Sequence, residues 1–211
     1  MSQQGDKYPV QLSVDYPERD LNRTTTFFRL IVVIPILIVL VAVAGGGGSP
    51  DDNNGWYVSA GAGGVLVFAP LLMILFRQKY PRWWFDWNVN LARFTNRVMA
   101  YLLLLRDEYP STDEEQAVHI EISYPDAQRD LNRWLPLVKW FLAIPHYILL
   151  IFLWIAVIVV VVVAWFVILF TGRYPRGVFD FVVGTMRWTL RVEAYAFFLT
   201  TDRYPPFGQT P

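Results

Sequence analysis

Residues 140–170 constrain this chain more than any other stretch. Trp140-Phe141-Leu142-Ala143-Ile144-Pro145-His146-Tyr147 leads into a run from Ile148 to Phe170 without one charged residue. A water-soluble domain has little use for so long an apolar run. The hydrocarbon core of a bilayer is already the preferred solvent of such side chains. The rest of the chain is read as arranged around insertion in a membrane.

Composition agrees with that reading. Of 211 residues, 55% are hydrophobic and 17% charged, respectively high and low for a globular domain. The formal net charge is zero, so the global basic field of a nucleic-acid binder is missing and no nucleic-acid partner is expected. The chain has no cysteine, which excludes disulfides, thiol catalysis and Cys-ligated metals. The first apolar run starts at Phe27, behind a segment carrying Asp6, Lys7, Asp15, Glu18, Arg19, Asp20 and Arg23. A cleavable signal peptide has its apolar region close behind a short basic start. The first membrane segment is therefore expected to remain as an anchor.

The two halves of the sequence repeat one plan. Residues 8–16 alternate polar and apolar residues, read as a short strand, and end in Tyr16-Pro17. Residues 118–124 do the same and end in Tyr124-Pro125. Arg19-Asp20-Leu21-Asn22-Arg23 recurs identically as Arg129-Asp130-Leu131-Asn132-Arg133. Pro35 is matched by Pro145, and Lys79-Tyr80-Pro81-Arg82 by Arg173-Tyr174-Pro175-Arg176. Asp86, Arg93, Arg97 and Tyr101 recur as Asp180, Arg187, Arg191 and Tyr195. Matches over a whole unit point to internal duplication. The first repeat is placed at residues 1–110 and the second at 111–211.

Residues 27–44 and 56–76 each have about the 20-residue length that a bilayer demands. Between them lies a turn-rich loop, Gly45 to Gly55, with Asp51 and Asp52 and no cation. Arg23, Arg29, Arg77, Lys79 and Arg82 flank the pair, so the charge rule places both ends in the cytoplasm and the loop outside. The first repeat is thus expected to hold a transmembrane hairpin over 27–76. The second lacks the loop. One helix over 140–170 would be roughly 46 Å long, beyond a core of about 30 Å, and would put Arg173 and Arg176 outside. A tight hairpin over 135–171, turning near 153–157, keeps the plan, although no Gly, Pro, Asn or Asp marks the turn.

After each Tyr-Pro-Arg comes an amphipathic segment, 83–105 and 177–199. Asp86, Asn90, Arg93 and Arg97 share one helical face, as do Asp180, Gly184, Arg187 and Arg191. Two arginines in mid-bilayer cost about 2.5–3.5 kcal/mol each. Two helices lying in the cytoplasmic interface avoid that cost. The competing reading is a buried crossing whose arginines face protein or water.

Tyr124-Pro125, Arg133-Trp134, Leu137-Val138-Lys139-Trp140-Phe141-Leu142-Ala143-Ile144-Pro145-His146-Tyr147, Gly172-Arg173-Tyr174-Pro175 and Tyr204-Pro205-Pro206-Phe207 together resemble a bacterial membrane family, domain of unknown function 4389. The first half resembles a diverged copy, with Phe28-Arg29-Leu30 and Ile34-Pro35-Ile36 at the signature positions. The resemblance implies an integral membrane protein and supplies no catalytic residues.

Three features could carry chemistry. His146, behind Pro145 in an apolar segment, could bind a haem, metal or quinone, but the first half has no matching histidine. The favoured reading is structural, with its ring bonded to carbonyls freed by Pro145. Arg93, Arg97, Arg187 and Arg191 could hold lipid phosphates at the interface. Each Asp precedes its Arg along the helix, which also suits the helix dipole. Glu121 or Asp126 could serve an enzyme only by converging on the arginines. No phosphate loop, dinucleotide fingerprint, nucleophile elbow or zinc-protease motif is present.

The sequence thus predicts an all-α integral membrane protein with minor β, in two tandem repeats. Each repeat is a strand, a transmembrane hairpin and an interfacial helix, and the two strands are candidates to pair on the cytoplasmic side. The expected location is the bacterial cytoplasmic membrane, multi-pass, with both termini inside. Membrane lipids, another membrane protein or a second copy are the expected partners, with no catalytic residue, metal or cofactor. The leading function is a non-enzymatic scaffold or accessory subunit. The alternative is a small transporter or lipid-handling protein with a cavity between the repeats.

Overall fold

A computed structural model describes residues 8–44, 46–50, 56–60, 62–112 and 114–210. The order of elements is β1 (Val10–Val14), α1 (Arg23–Val32), α2 (Ile34–Ala44), β2 (Gly46–Pro50), β3 (Trp56–Ala60), α3 (Ala62–Arg77), α4 (Arg82–Leu102) and β4 (Val118–Ile122). A single 3-10 turn (Leu135–Leu137) then leads to α5 (Lys139–Leu142), α6 (Ile144–Thr171) and α7 (Arg176–Ala196). The protein is mostly helical, with a small amount of strand.

The two alternating segments pair. β1 and β4 run antiparallel, from Val10 opposite Ile122 to Val14 opposite Val118. Alternation sends Val10, Leu12, Val14, Val118 and Ile120 into the core. Ser13, His119 and Glu121 are left on an exposed outer face. Beneath the inner face lie residues of α4 and α7, among them Ala92, Ala100, Phe179, Val183 and Leu190, and below these Val157, Ala164 and Ile168 of α6. The molecule is therefore layered. The sheet covers α4 and α7, and α6 lies on the far side of α7.

The tight hairpin expected over 135–171 does not form, because α6 runs unbroken for 28 residues. Residues 153–157, Leu-Trp-Ile-Ala-Val, contain nothing that favours a turn. The helix ends at Gly172, whose φ of 76° closes it in the left-handed conformation that glycine accepts without a steric penalty. One seam of α6, His146, Leu150, Val157, Ala164 and Ile168, is buried. Ile148, Phe152, Ile155, Ile158, Val159, Val162, Phe166 and Phe170 are all open.

In the first half, residues 27–44 are two helices rather than one. Pro35 has no N–H for the carbonyl of Ile31, so the chain breaks at Val33 and bends by 48°. Pro145 acts likewise after α5. The apolar segment 56–76 opens as strand β3, paired with β2 inside what the sequence suggested was a loop, and turns helical only at Ala62. Loop residues 45 and 51–55 lie outside the described residues. Among the described residues one helix, α6, is long and apolar enough to cross a membrane, or two spans if the bent pair counts as one. Two complete transmembrane hairpins are not what these residues form.

The amphipathic helices are α4 and α7. The α7 helix does not lie free in an interface, since it packs on α6 with one side and on β1 with the other. Most of its residues are buried. Its polar stripe is covered in part by the chain itself, where Arg187 and Arg191 bond to backbone carbonyls.

Tyrosines tie the two halves together crosswise. Tyr16 donates its hydroxyl proton to the carbonyl of Tyr174 at 2.5 Å, and Tyr124 donates to the carbonyl of Tyr80 at 2.5 Å. Tyr80 in turn donates to Phe198 at 2.6 Å, and Tyr174 to Leu103 at 3.3 Å. Arg176 stacks over the Tyr16 ring at 4.5 Å, and Arg82 over Tyr124 at 5.6 Å. Leu104 and Leu199, just past α4 and α7, both hold left-handed φ angles (66° and 56°).

Candidate functional site

Two buried ion pairs fix the ends of the helices. Arg29 is almost wholly enclosed. Its guanidinium pairs with Asp107, donates to the carbonyls of Tyr101 (3.1 Å) and Arg106 (3.0 Å), and lies 4.5 Å over the Tyr101 ring. The second carboxylate oxygen of Asp107 accepts from the Asn22 N–H at 2.7 Å. Lys139 is fully buried. Its Nζ is 2.7 Å from Asp202 Oδ1, donates to the Thr201 carbonyl at 2.8 Å, and sits 5.1 Å over Tyr195. Asp202 Oδ2 accepts from the Asn132 N–H at 2.5 Å. Each cation lies seven positions after its asparagine, and each aspartate two positions before a Tyr-Pro. That spacing was the signal sequence reading passed over. In low dielectric such a pair needs further hydrogen bonds to offset desolvation, and backbone groups supply them here: two carbonyls for Arg29, one for Lys139 and an N–H for each aspartate.

His146 is sealed among aromatic rings. The Trp188 indole N–H donates to its Nδ1 at 3.0 Å. Phe207 stacks on it with centroids 4.1 Å apart and planes 12° from parallel, and Tyr204 lies at 4.9 Å. The expected bonds to carbonyls freed by Pro145 are replaced by the indole, which the sequence places 42 residues away. Because Nδ1 accepts, the ring proton belongs on Nε2. That atom is buried without a partner.

The four arginines do not form one headgroup site. Arg187 donates from Nε to the Leu12 carbonyl and from Nη1 to the Gln209 carbonyl, both at 2.8 Å. Arg191, itself buried, donates to the Thr210 carbonyl at 2.9 Å and lies 5.7 Å over the Tyr8 ring. The segment after Tyr204 crosses α7 here. Gly184 makes room for it, since a Cβ there would stand 2.6 Å from Gln209 Cβ. Arg97 of α4 donates to the Ser111 carbonyl at 2.9 Å. Arg93 is exposed and, among the described residues, donates to the side chain of Asn90 at 3.2 Å.

Arg187 and Arg191 meet Gln11, Leu12, Ser13, His119 and Glu121 around an open cleft of about 370 Å³ on the outer face of the sheet. Burial lowers the basicity of both guanidiniums, and Arg187 lowers that of Arg191 further. Glu121 thus joins the arginines, whereas Asp126 is held in its own turn by Gln128 and Arg129. No group of three or more His, Asp or Glu able to hold a metal occurs among the described residues.

No curated protein and no solved structure matches the chain. One family does, over the segment that contains Lys139, His146, Arg187, Arg191, Asp202 and Phe207. Residues 134–208 match the family described as a domain of unknown function (DUF4389), so the resemblance carried by the second half of the sequence holds.

Proposed function

We propose that this chain is an integral protein of the bacterial cytoplasmic membrane and a non-enzymatic scaffold or accessory subunit. Its partners are lipid and either another membrane protein or a second copy. It is built from two tandem, intertwined copies (1–110 and 111–211) and is multi-pass through the segments on either side of residues 45–61, with both termini in the cytoplasm. The observation that carries the membrane reading is the surface of α6. Away from the side that packs on α7 and α1, the helix is apolar and exposed along its 28 residues. The core helix of a soluble protein is covered, and a surface helix has a polar face; α6 is neither.

The scaffold reading is supported by how the enclosed ionisable groups are engaged. Lys139 and Arg29 are committed to aspartates, and His146 is shut in by Trp188, Tyr204 and Phe207. A transporter needs a wet, titratable path at membrane depth, and no observation favours one. Arg93, exposed on α4, is the arginine with donors left for lipid phosphate, so the lipid-contact part of the proposal rests on it more than on Arg187 or Arg191. Native mass spectrometry of protein extracted mildly from its own membrane tests the reading. A stoichiometric protein partner or a second copy is expected. Release as a lone chain with a tightly held small molecule overturns it.

A further inference from the structure

We infer that α6 lies along the cytoplasmic leaflet, beneath the layer of α4 and α7, rather than across the bilayer, so that acyl chains of that leaflet fill its open face. This rests on the membrane reading above.

The middle of the sheet sits over the middle of the α6–α7 pair. The two helices run antiparallel, with Ile168 and Phe179 in one core at one end, Trp154 bonded to Thr189 near the middle, and Tyr147 beside Phe197 at the other. Arg187, central in α7, is bonded to Leu12, central in β1. Were α6 upright, the outer face of the sheet would meet lipid at mid-depth. Glu121, His119 and the Arg187–Arg191 cleft lie on that face. Ions there cost about 2.5–3.5 kcal/mol each. Laid flat, α6 puts the same face in water, on the side away from the membrane.

Length and charge agree. Twenty-eight residues extend about 42 Å, well over the hydrocarbon core of about 30 Å. A single helix, about 10 Å across, fits within one leaflet of about 15 Å. Beyond one end of α6 stand Arg129 and Arg133, and beyond the other Arg173 and Arg176. Arg173 is paired with Asp20, and Arg133 with Gln78. A flat helix leaves all four cations on the cytoplasmic side, whereas an upright one exports half of them. A helix that is apolar all round cannot lie at the boundary alone. Here α7 and the sheet form its roof.

The chain has no cysteine, so single cysteines report cleanly. Gln128→Cys, Arg173→Cys and Ser13→Cys, all at exposed positions, would be treated with a membrane-impermeant maleimide in spheroplasts and in inverted vesicles. All three should label in inverted vesicles, with loss of labelling in spheroplasts. Labelling of 128 and 173 from opposite sides would overturn the flat orientation and leave the membrane reading standing. Release of the protein from membranes by alkaline carbonate would overturn both.

Discussion

The ammonium of Lys139 lies 2.7 Å from the carboxylate of Asp202, and Arg29 makes the corresponding pair with Asp107. Both cations are enclosed by protein. Each pair joins the start of an apolar segment to the chain just past the amphipathic helix of the same half, α4 or α7. Asp202→Asn leaves a buried ammonium without its counter-charge and should cost about 3 kcal/mol, the low end for a broken buried pair because Asp202 keeps some exposure. The double variant Lys139→Met/Asp202→Leu should recover most of that loss. Unfolding in detergent, followed by circular dichroism, measures both.

Gly184 is expected to tolerate no side chain. Gly184→Ala brings a methyl to 2.6 Å from Gln209 Cβ and 3.2 Å from its carbonyl oxygen. The segment over α7 must lift, with a cost of about 1–3 kcal/mol. Arg187 and Arg191 then lose the carbonyls of Gln209 and Thr210. Faster proteolysis after Tyr204 in the variant is the readout.

His146 should prove structural. Trp188→Phe removes the donor to Nδ1 and leaves a second ring nitrogen unsatisfied, at about 1–3 kcal/mol. His146→Phe keeps the stack on Phe207 and should cost less. Thermal stability of the two variants in detergent gives that order. A larger loss for His146→Phe, or a bound chromophore lost with it, contradicts the assignment.

Glu193 gives the protein a pH dependence. Burial raises its carboxyl to about 7. The folded state therefore holds its proton more tightly than the unfolded chain, and this contribution to stability, present at low pH, is lost as pH rises toward 7. Between about 4.5 and 7, stability should fall with rising pH, and Glu193→Gln should flatten that slope. Melting temperatures at several pH values test it.

What the sequence made legible followed from local patterning. Alternation located β1 and β4, the apolar run located α6, and the repeated motifs located the matched tyrosines and arginines. What escaped depended on contacts between distant residues. Periodicity put Arg187 and Arg191 on one face but could not say that β1 and residues 209–210 would cover it. Lys139 looked like a flank of the apolar run, because its partner stands 63 positions later. The hairpin over 135–171 came from imposing the first half's plan on residues that contain no turn former. Strands β2 and β3 were missed because four successive glycines, Gly45 to Gly48, read as a loop.

The central claim is that the open face of α6 is solvated by lipid. Nitroxide labels at Phe152, Ile158 and Phe166, all exposed on α6, and at Ser13 on the sheet would be compared by power-saturation electron paramagnetic resonance in reconstituted bilayers. The account predicts high accessibility to oxygen and low accessibility to a water-soluble nickel complex at the three α6 positions, with the reverse at Ser13. Nickel accessibility at Phe152 and Ile158 equal to that at Ser13 would contradict it.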